Sequence, residues 1–190
     1  LIAAMSHYDF YETGAVKTPI VSTNHIAPFW KNNVPNLWAY YCCGQYQKVA
    51  NRFINMPSAR NRILGYQLYK FRIKGFLQWG YNFWFSQYSK YPIDPYQTTD
   101  SDKAFPAGDP FVVYPAPSKS VADEPVISLR LEVFYDALQD MRALKLAEQI
   151  IGREKMLAFL ERDLPRAVTF ESYPQDSDWI LDSREMINCM

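Results

Sequence analysis

Histidine, cysteine and glycine are scarce in this chain, and neither sign of charge dominates. Only two histidines, three cysteines and seven glycines occur in 190 residues. His7 and His25 are far apart, and no Cys-x-x-Cys or His-x-x-x-His spacing appears, so the sequence carries no metal-site motif and calls for no cofactor. Cys42 and Cys43 are adjacent and Cys189 is remote. Adjacent cysteines rarely bridge one another, and an odd count is unlike a secreted disulfide scaffold, so a reduced, cytoplasmic setting is expected. Lys+Arg and Asp+Glu both number 20, giving a formal net charge of zero. That excludes a nucleic-acid partner bound through broad phosphate neutralisation. No run approaches the roughly 18 apolar residues of a membrane span, and no charged, then apolar, leader opens the chain. The chain starts at Leu1 rather than Met, which points to a fragment or a processed product.

What the sequence has is apolar and, above all, aromatic side chain. Hydrophobic residues make up 48% and charged residues 21%, enough apolar surface for one packed domain and too much for disorder. Aromatic residues reach 16%, from 14 Tyr, 12 Phe and 5 Trp, and proline (13) outnumbers glycine.

Along the chain, short apolar runs alternate with segments of helical period. Leu1–Tyr11 reads as weakly ordered. Pro19–Thr23 reads as a strand, followed by one or two helical turns over Ala27–Asn33. Leu37-Trp-Ala-Tyr-Tyr-Cys42 lies between Pro35 and Gly44 and has no strict alternation, so it reads as a strand buried on both faces. Ser58–Phe71 is helical in period, with Pro57 at its start and Lys70, Arg72 and Lys74 at its end. Gly75–Trp79 is a further short apolar run, read as another doubly buried strand. Tyr81–Pro125 is long, aromatic at first and proline-rich later, with a brief strand at Phe111–Tyr114; loops of that length usually have a function. Ser128 caps the clearest helix, which runs to Ile151 with Gly152 as its stop. A second helix follows at Arg153–Arg162, and a last short one at Asp178–Asn188.

Strands alternating with helices imply βαβ units and a parallel sheet. The fold class is therefore α/β, with about three strands, too few to cover both of their own faces. Two parts are expected: residues 1–162 as the main α/β portion, and 163–190 as a tail with a short helix. An open parallel sheet exposes unpaired backbone groups at its edge. The expected partners are thus a missing segment of sheet or a second copy of the chain.

Four stretches together resemble the C-terminal part of the catalytic domain of glycoside hydrolase family 123. They are Leu37-Trp-Ala-Tyr-Tyr-Cys42, Gly75-Phe-Leu-Gln-Trp-Gly-Tyr-Asn-Phe-Trp84, Gly108-Asp-Pro-Phe-Val-Val-Tyr-Pro115 and Ser128-Leu-Arg-Leu-Glu132, the last continuing to Asp140. The resemblance runs from about Ile20 to Leu160. It implies that the chain supplies the last two to three strand–helix units of a TIM-like (β/α)₈ barrel, which as a whole needs about 250 residues. It also implies a bacterial, exo-acting enzyme that releases terminal N-acetyl-β-galactosamine with retention, the substrate's 2-acetamido oxygen attacking the anomeric carbon. In that chemistry an Asp orients the acetamide and an adjacent Glu protonates the leaving oxygen. The pair is expected upstream of the stretches quoted. Asp123-Glu124 is an adjacent pair, but it stands in a polar loop before the Ser128 helix and reads as solvated.

The candidate sugar contacts follow from strand ends, because the C-terminal ends of barrel strands carry the active site. Trp79, Tyr81, Asn82 and Trp84 leave the Gly75 strand; Tyr40 and Tyr41 end the strand before it; Asn24 and His25 follow the first. Rings there can stack on pyranose C–H faces or simply fill core, as Trp79 and Trp84 could equally do, and a lone histidine such as His25 is more often a hydrogen-bonded structural residue than a catalyst. Asp109 and Tyr114 come from the long loop and read either as hydroxyl contacts or as a turn and a buried anchor. Trp38, early in its strand, reads as core. Arg130, Glu132 and Asp140 read as structural ion pairs, and Cys42 and Cys43 lack the neighbouring base a thiol nucleophile needs. Two other functions fit the same residues: a non-catalytic carbohydrate-binding module, and a structural or assembly domain.

Overall fold

The computed structural model describes residues 1–117 and 124–190. Four short strands, β1 (Ile2–Met5), β2 (Thr18–Ser22), β3 (Trp38–Tyr41) and β4 (Gly75–Gln78), form one parallel sheet in sequence order. Val21 stands opposite Met5 and Ala39, and Ala39 opposite Phe76, so these four side chains share one face. Against that face pack α3 (Ala59–Arg62), α4 (Leu64–Lys70) and the 23-residue α5 (Leu129–Ile151). The shorter α1 (Asp9–Glu12) and α2 (Ala27–Lys31) fill the β1–β2 and β2–β3 crossovers, while α6 (Arg153–Glu161) and α7 (Ser177–Asn188) brace α5 from outside.

The core consists of two clusters, with Met141 packed against both. Val21, Ala39, Tyr41, Leu64, Leu68 and Phe71 form its sheet-side part, and Ile63, Tyr66, Leu144, Met156 and Ile180 its helix-side part. Residues 163–190 pack into it: Val168, Phe170, Ile180 and Ile187 are all buried. Gly65 makes the central helix crossing possible, since a Cβ there would lie 1.9 Å from the Ala137 carbonyl oxygen of α5. Asp140 of α5 ties the helices electrostatically. It accepts from Arg62 Nε (2.7 Å) on α3 and from Arg184 Nη1 (3.0 Å) on α7.

Several expectations change. Leu1–Tyr11 is not weakly ordered: Ile2–Met5 is the edge strand, paired with β2, and Asp9–Glu12 is a helical turn. Its two alanines carry no strand signal, and tertiary pairing decides. β3 is buried on one face only, and β4 has no fully buried residue, though Phe76 packs against the core. Trp38 and Tyr40 on the other face are half-buried and Leu77 is exposed, and none of them belongs to the helix-backed core. Ser128 does not cap α5 with its side chain; its Oγ is buried with no partner among the described residues, and the entry is fixed by its backbone N–H donating to Val112 O at 3.0 Å. The expected Phe111–Tyr114 strand is β5 (Val113–Tyr114), paired antiparallel with β6 (Val126–Ile127).

Candidate functional site

Because all four strands run the same way, the segments after Met5, Ser22, Tyr41 and Gln78 emerge at one end of the sheet. A belt of polar contacts crosses that end. Ser22 Oγ lies 3.0 Å from Ser6 Oγ and 3.0 Å from His25 Nδ1. The next link is Gln45, whose Nε2 donates to Asn24 Oδ1 at 2.9 Å while its Oε1 accepts from the Cys42 N–H at 2.9 Å. Asn51 Nδ2 donates to the carbonyls of Cys42 and Gln45, at 3.0 and 2.6 Å. Asn51 Oδ1 accepts from Arg52 Nη1 at 2.9 Å.

Arg52 is the centre of this belt. It is 2% exposed, lies against the Tyr41 ring at 5.0 Å, and pairs with Asp109 at 3.2 Å. Its Nη2 donates to the carbonyls of Trp79 (2.7 Å) and Asp109 (2.8 Å). Asp109 also accepts from Trp79 Nε1 at 2.8 Å, so both carboxylate oxygens are engaged. Burial still pushes the Asp109 carboxyl above its ordinary range, although Arg52 and the indole N–H pull the other way. Gly80 completes the junction. At φ 65° it turns the chain away from β4, and a Cβ would lie 2.2 Å from the Asp109 carbonyl oxygen. Arg130 of α5 holds the far side of the same loop by donating to the carbonyls of Gly108 (2.5 Å) and Phe111 (2.8 Å). It is thus a backbone clamp and not the expected ion-pair partner. Glu132 is exposed and has no ion pair among the described residues, whereas Asp140 does pair.

The expected contact residues fall into two groups. Asn24, His25, Tyr40, Trp79, Tyr81, Asn82 and Trp84 keep solvent-facing surface at or beside the strand ends; Tyr81 is 50% exposed. Trp84 is fixed by its indole N–H donating to Val113 O at 2.9 Å, and the Trp79 ring packs against Phe83 and Phe105. Tyr41 and Asp109 are fully buried and support the site from behind. The Tyr41 hydroxyl donates to Asn61 Oδ1 at 3.4 Å, and burial pushes it up to about 12. Tyr114 belongs to neither group: it is half-buried on the loop, tilted against Tyr96 and edge-on to Phe111.

Sequence reasoning missed Gln45, Asn51 and Arg52. A signal was present in Val49-Ala-Asn-Arg-Phe-Ile54, where a lone arginine in an apolar run calls for a buried partner. No carboxylate lies on β1–β4 or in the two residues after each strand. Of the Asp123-Glu124 pair, Asp123 lies outside the described residues and Glu124 is exposed. The Cys43 thiol is pushed up to about 11 by burial and by Cys42 and Asp109 nearby, so it is a poor nucleophile at neutral pH. Among the described residues no cluster of three His, Cys, Asp or Glu side chains could hold a metal ion, and no helix is long and apolar enough to cross a membrane.

Comparison with known proteins bears on the same region. Residues 1–147 match the model of the glycoside hydrolase 123 catalytic domain. A family 123 glycoside hydrolase from Clostridium perfringens, studied for glycolipid glycan hydrolysis, has a similar structure, with a TM-score of 0.63 and 20% sequence identity. The match covers 99% of this chain and 34% of that one, so the chain spans about a third of the length of the structure it resembles. No curated protein matches the chain.

Proposed function

The chain belongs to glycoside hydrolase family 123, and on that premise we propose that it forms the sugar-contacting end of an enzyme that releases terminal N-acetyl-β-hexosaminides, N-acetylgalactosamine foremost. The observation that carries this reading is the convergence of Asn24, His25, Tyr40, Trp79 and Tyr81 at one end of a parallel sheet, braced from behind by the buried Arg52–Asp109 pair. In this reading the sheet is the last part of a (β/α)₈ barrel, and its helix-free face, with Trp38, Tyr40 and Leu77, lines the barrel interior. The structural likeness to a longer family 123 enzyme supports that placement.

The residues then divide the task. Tyr81, Trp79 and Trp84 offer ring faces to the pyranose, Asn24 and Asn82 offer amides to its hydroxyls, and His25, oriented by Ser22, offers a ring nitrogen. The 2-acetamido oxygen of the substrate is the nucleophile. The Asp that orients it and the Glu that protonates the leaving oxygen are not among the residues at these strand ends, so hydrolysis requires carboxylates from elsewhere in the assembled enzyme. The test is hydrolysis of an aryl N-acetyl-β-galactosaminide by the enzyme that contains this chain. Tyr81→Ala should lower kcat/KM by about one to two orders of magnitude, the equivalent of roughly 1–3 kcal/mol of aromatic contact. Glu124→Ala should leave it unchanged. Full activity in Tyr81→Ala, or a large loss in Glu124→Ala with the fold intact, would overturn the assignment. N-acetylgalactosamine binding without hydrolysis in the complete enzyme would favour a non-catalytic binding module.

A further inference from the structure

At the opposite end of the strands, the chain gathers cationic side chains around a cavity. That cavity, of about 490 Å³, lies beside Leu37 and Lys74, the residues that lead into β3 and β4. Lys70, Arg72, Lys74 and Arg153 line it, together with Asn33 and Asn36, and no carboxylate does. An adjoining cavity of about 290 Å³ shares Arg72, Lys74 and Arg153 and adds Lys145, with Glu148 as its one acid. Glu161 and Glu148 balance Lys70 and Arg153, so the local excess rests on Arg72 and Lys74.

The cations are held in two different ways. Lys70 and Arg153 are pinned: Lys70 pairs with Glu161 and donates to Val168 O, while Arg153 pairs with Glu148 at 2.9 Å and donates to Lys70 O at 2.7 Å. Arg72 and Lys74 are exposed, and neither side chain has a hydrogen bond or ion pair among the described residues. Arg72 has a φ of 52°, a conformation a side-chain-bearing residue adopts at a cost, and it ends α4 beside the cavity. Trp30, 43% exposed, forms an apolar wall, held edge-on to Phe71 at 4.9 Å.

We propose that this cavity binds a small molecule bearing a phosphate or pyrophosphate group. Lys70 and Arg153, fixed by their own pairs, line the cavity, and the exposed guanidinium of Arg72 and ammonium of Lys74 supply the anion's direct partners. A guanidinium fork matches phosphate oxygens in pairs. The site is separate from the strand ends that carry the sugar contacts and does not depend on their assignment.

The experiment is calorimetric titration of the full chain with inorganic pyrophosphate. One equivalent should bind, and the double variant Arg72→Ala/Lys74→Ala should weaken binding at least about tenfold. A control double variant, Lys48→Ala/Lys90→Ala, removes the same charge from the segments that follow β3 and β4 and should change it by less than about twofold. If the first double variant misfolds, Lys74→Ala alone, at an exposed strand-leading position, should weaken binding by about threefold. No binding of pyrophosphate, or equal losses in the two double variants, would overturn the proposal. So would capture by phosphoinositide vesicles without binding of soluble pyrophosphate, which would assign the charge to a membrane surface instead.

Discussion

Asp109 and Asp140 are both wholly buried carboxylates, yet they live in opposite surroundings. Asp109 has one cationic partner, Arg52, as deeply buried as itself. Asp140 has two, Arg62 and Arg184, whose side chains keep 20% and 29% of their surface in water. The first pair closes a long loop onto the sheet; the second joins three helices. A charge whose only partner is also desolvated depends wholly on that partner, whereas a charge shared between two partly solvated cations tolerates the loss of one. The molecule thus puts its brittle interaction at the candidate site and its redundant one in the scaffold.

The sharpest way to break this contrast is to remove each cation in turn. Arg52→Met leaves Asp109 buried without its ion-pair partner and frees the Trp79 and Asp109 carbonyls, so unfolding free energy should fall by about 3–5 kcal/mol in a denaturant titration. Arg184→Met leaves Arg62 in place and should cost about 1 kcal/mol, because the surviving pair is partly solvated. A loss for Arg184→Met as large as that for Arg52→Met would end the comparison. The Arg62→Met/Arg184→Met double variant should then cost more than the two single losses added together, since only the double strands Asp140.

The pH profile sharpens the contrast further. Asp109 titrates above its ordinary range in the folded state, so between the unfolded and folded values the native state holds the extra proton. Its contribution is fully present below the unfolded value near 3.8 and is lost as pH rises through the folded one. Asp109→Asn should therefore remove a fall in stability with rising pH that begins there, measured by melting at a series of acidic pH values. The smallest effect is expected at Tyr41. Tyr41→Phe should cost less than about 1 kcal/mol at neutral pH, given the long bond to Asn61. At alkaline pH the sign is again definite. The folded value is about 12 against 10.0 unfolded, so stability is intact below 10 and lost as pH rises toward 12. The variant should flatten that alkaline fall by up to about 1.4 kcal/mol per pH unit.

Much of the scaffold was legible because helical period and proline–glycine punctuation are local signals. The Ser58–Phe71 and Ser128–Ile151 segments fold as α3–α4 and α5 almost to the residue, and β2, β3 and β4 stand where short apolar runs predicted them. β1 was illegible because Ile2-Ala-Ala-Met5 becomes a strand only through its pairing with β2. At the site, the exposed residues could be placed by the rule that function gathers after parallel strands. Their support could not. Arg52 and Asp109 are 57 residues apart, and only the closure of the long loop brings them together. Nothing local to Ser128 reveals that its hydroxyl is buried, with no partner among the described residues, rather than capping a helix.

The way the long loop is fastened has a last consequence. Its root is gripped by Arg52 at Trp79 on one side and Asp109 on the other, while its outer part carries Tyr88, 79% exposed. A protease that cuts the backbone beside Tyr88 therefore leaves two fragments that still hold each other, one contributing all four parallel strands and the other the long helix behind them. The nicked protein should elute as a single species and separate only in denaturant, which marks the Tyr88 tip as a place for new chain termini in a circular permutation or for an inserted peptide.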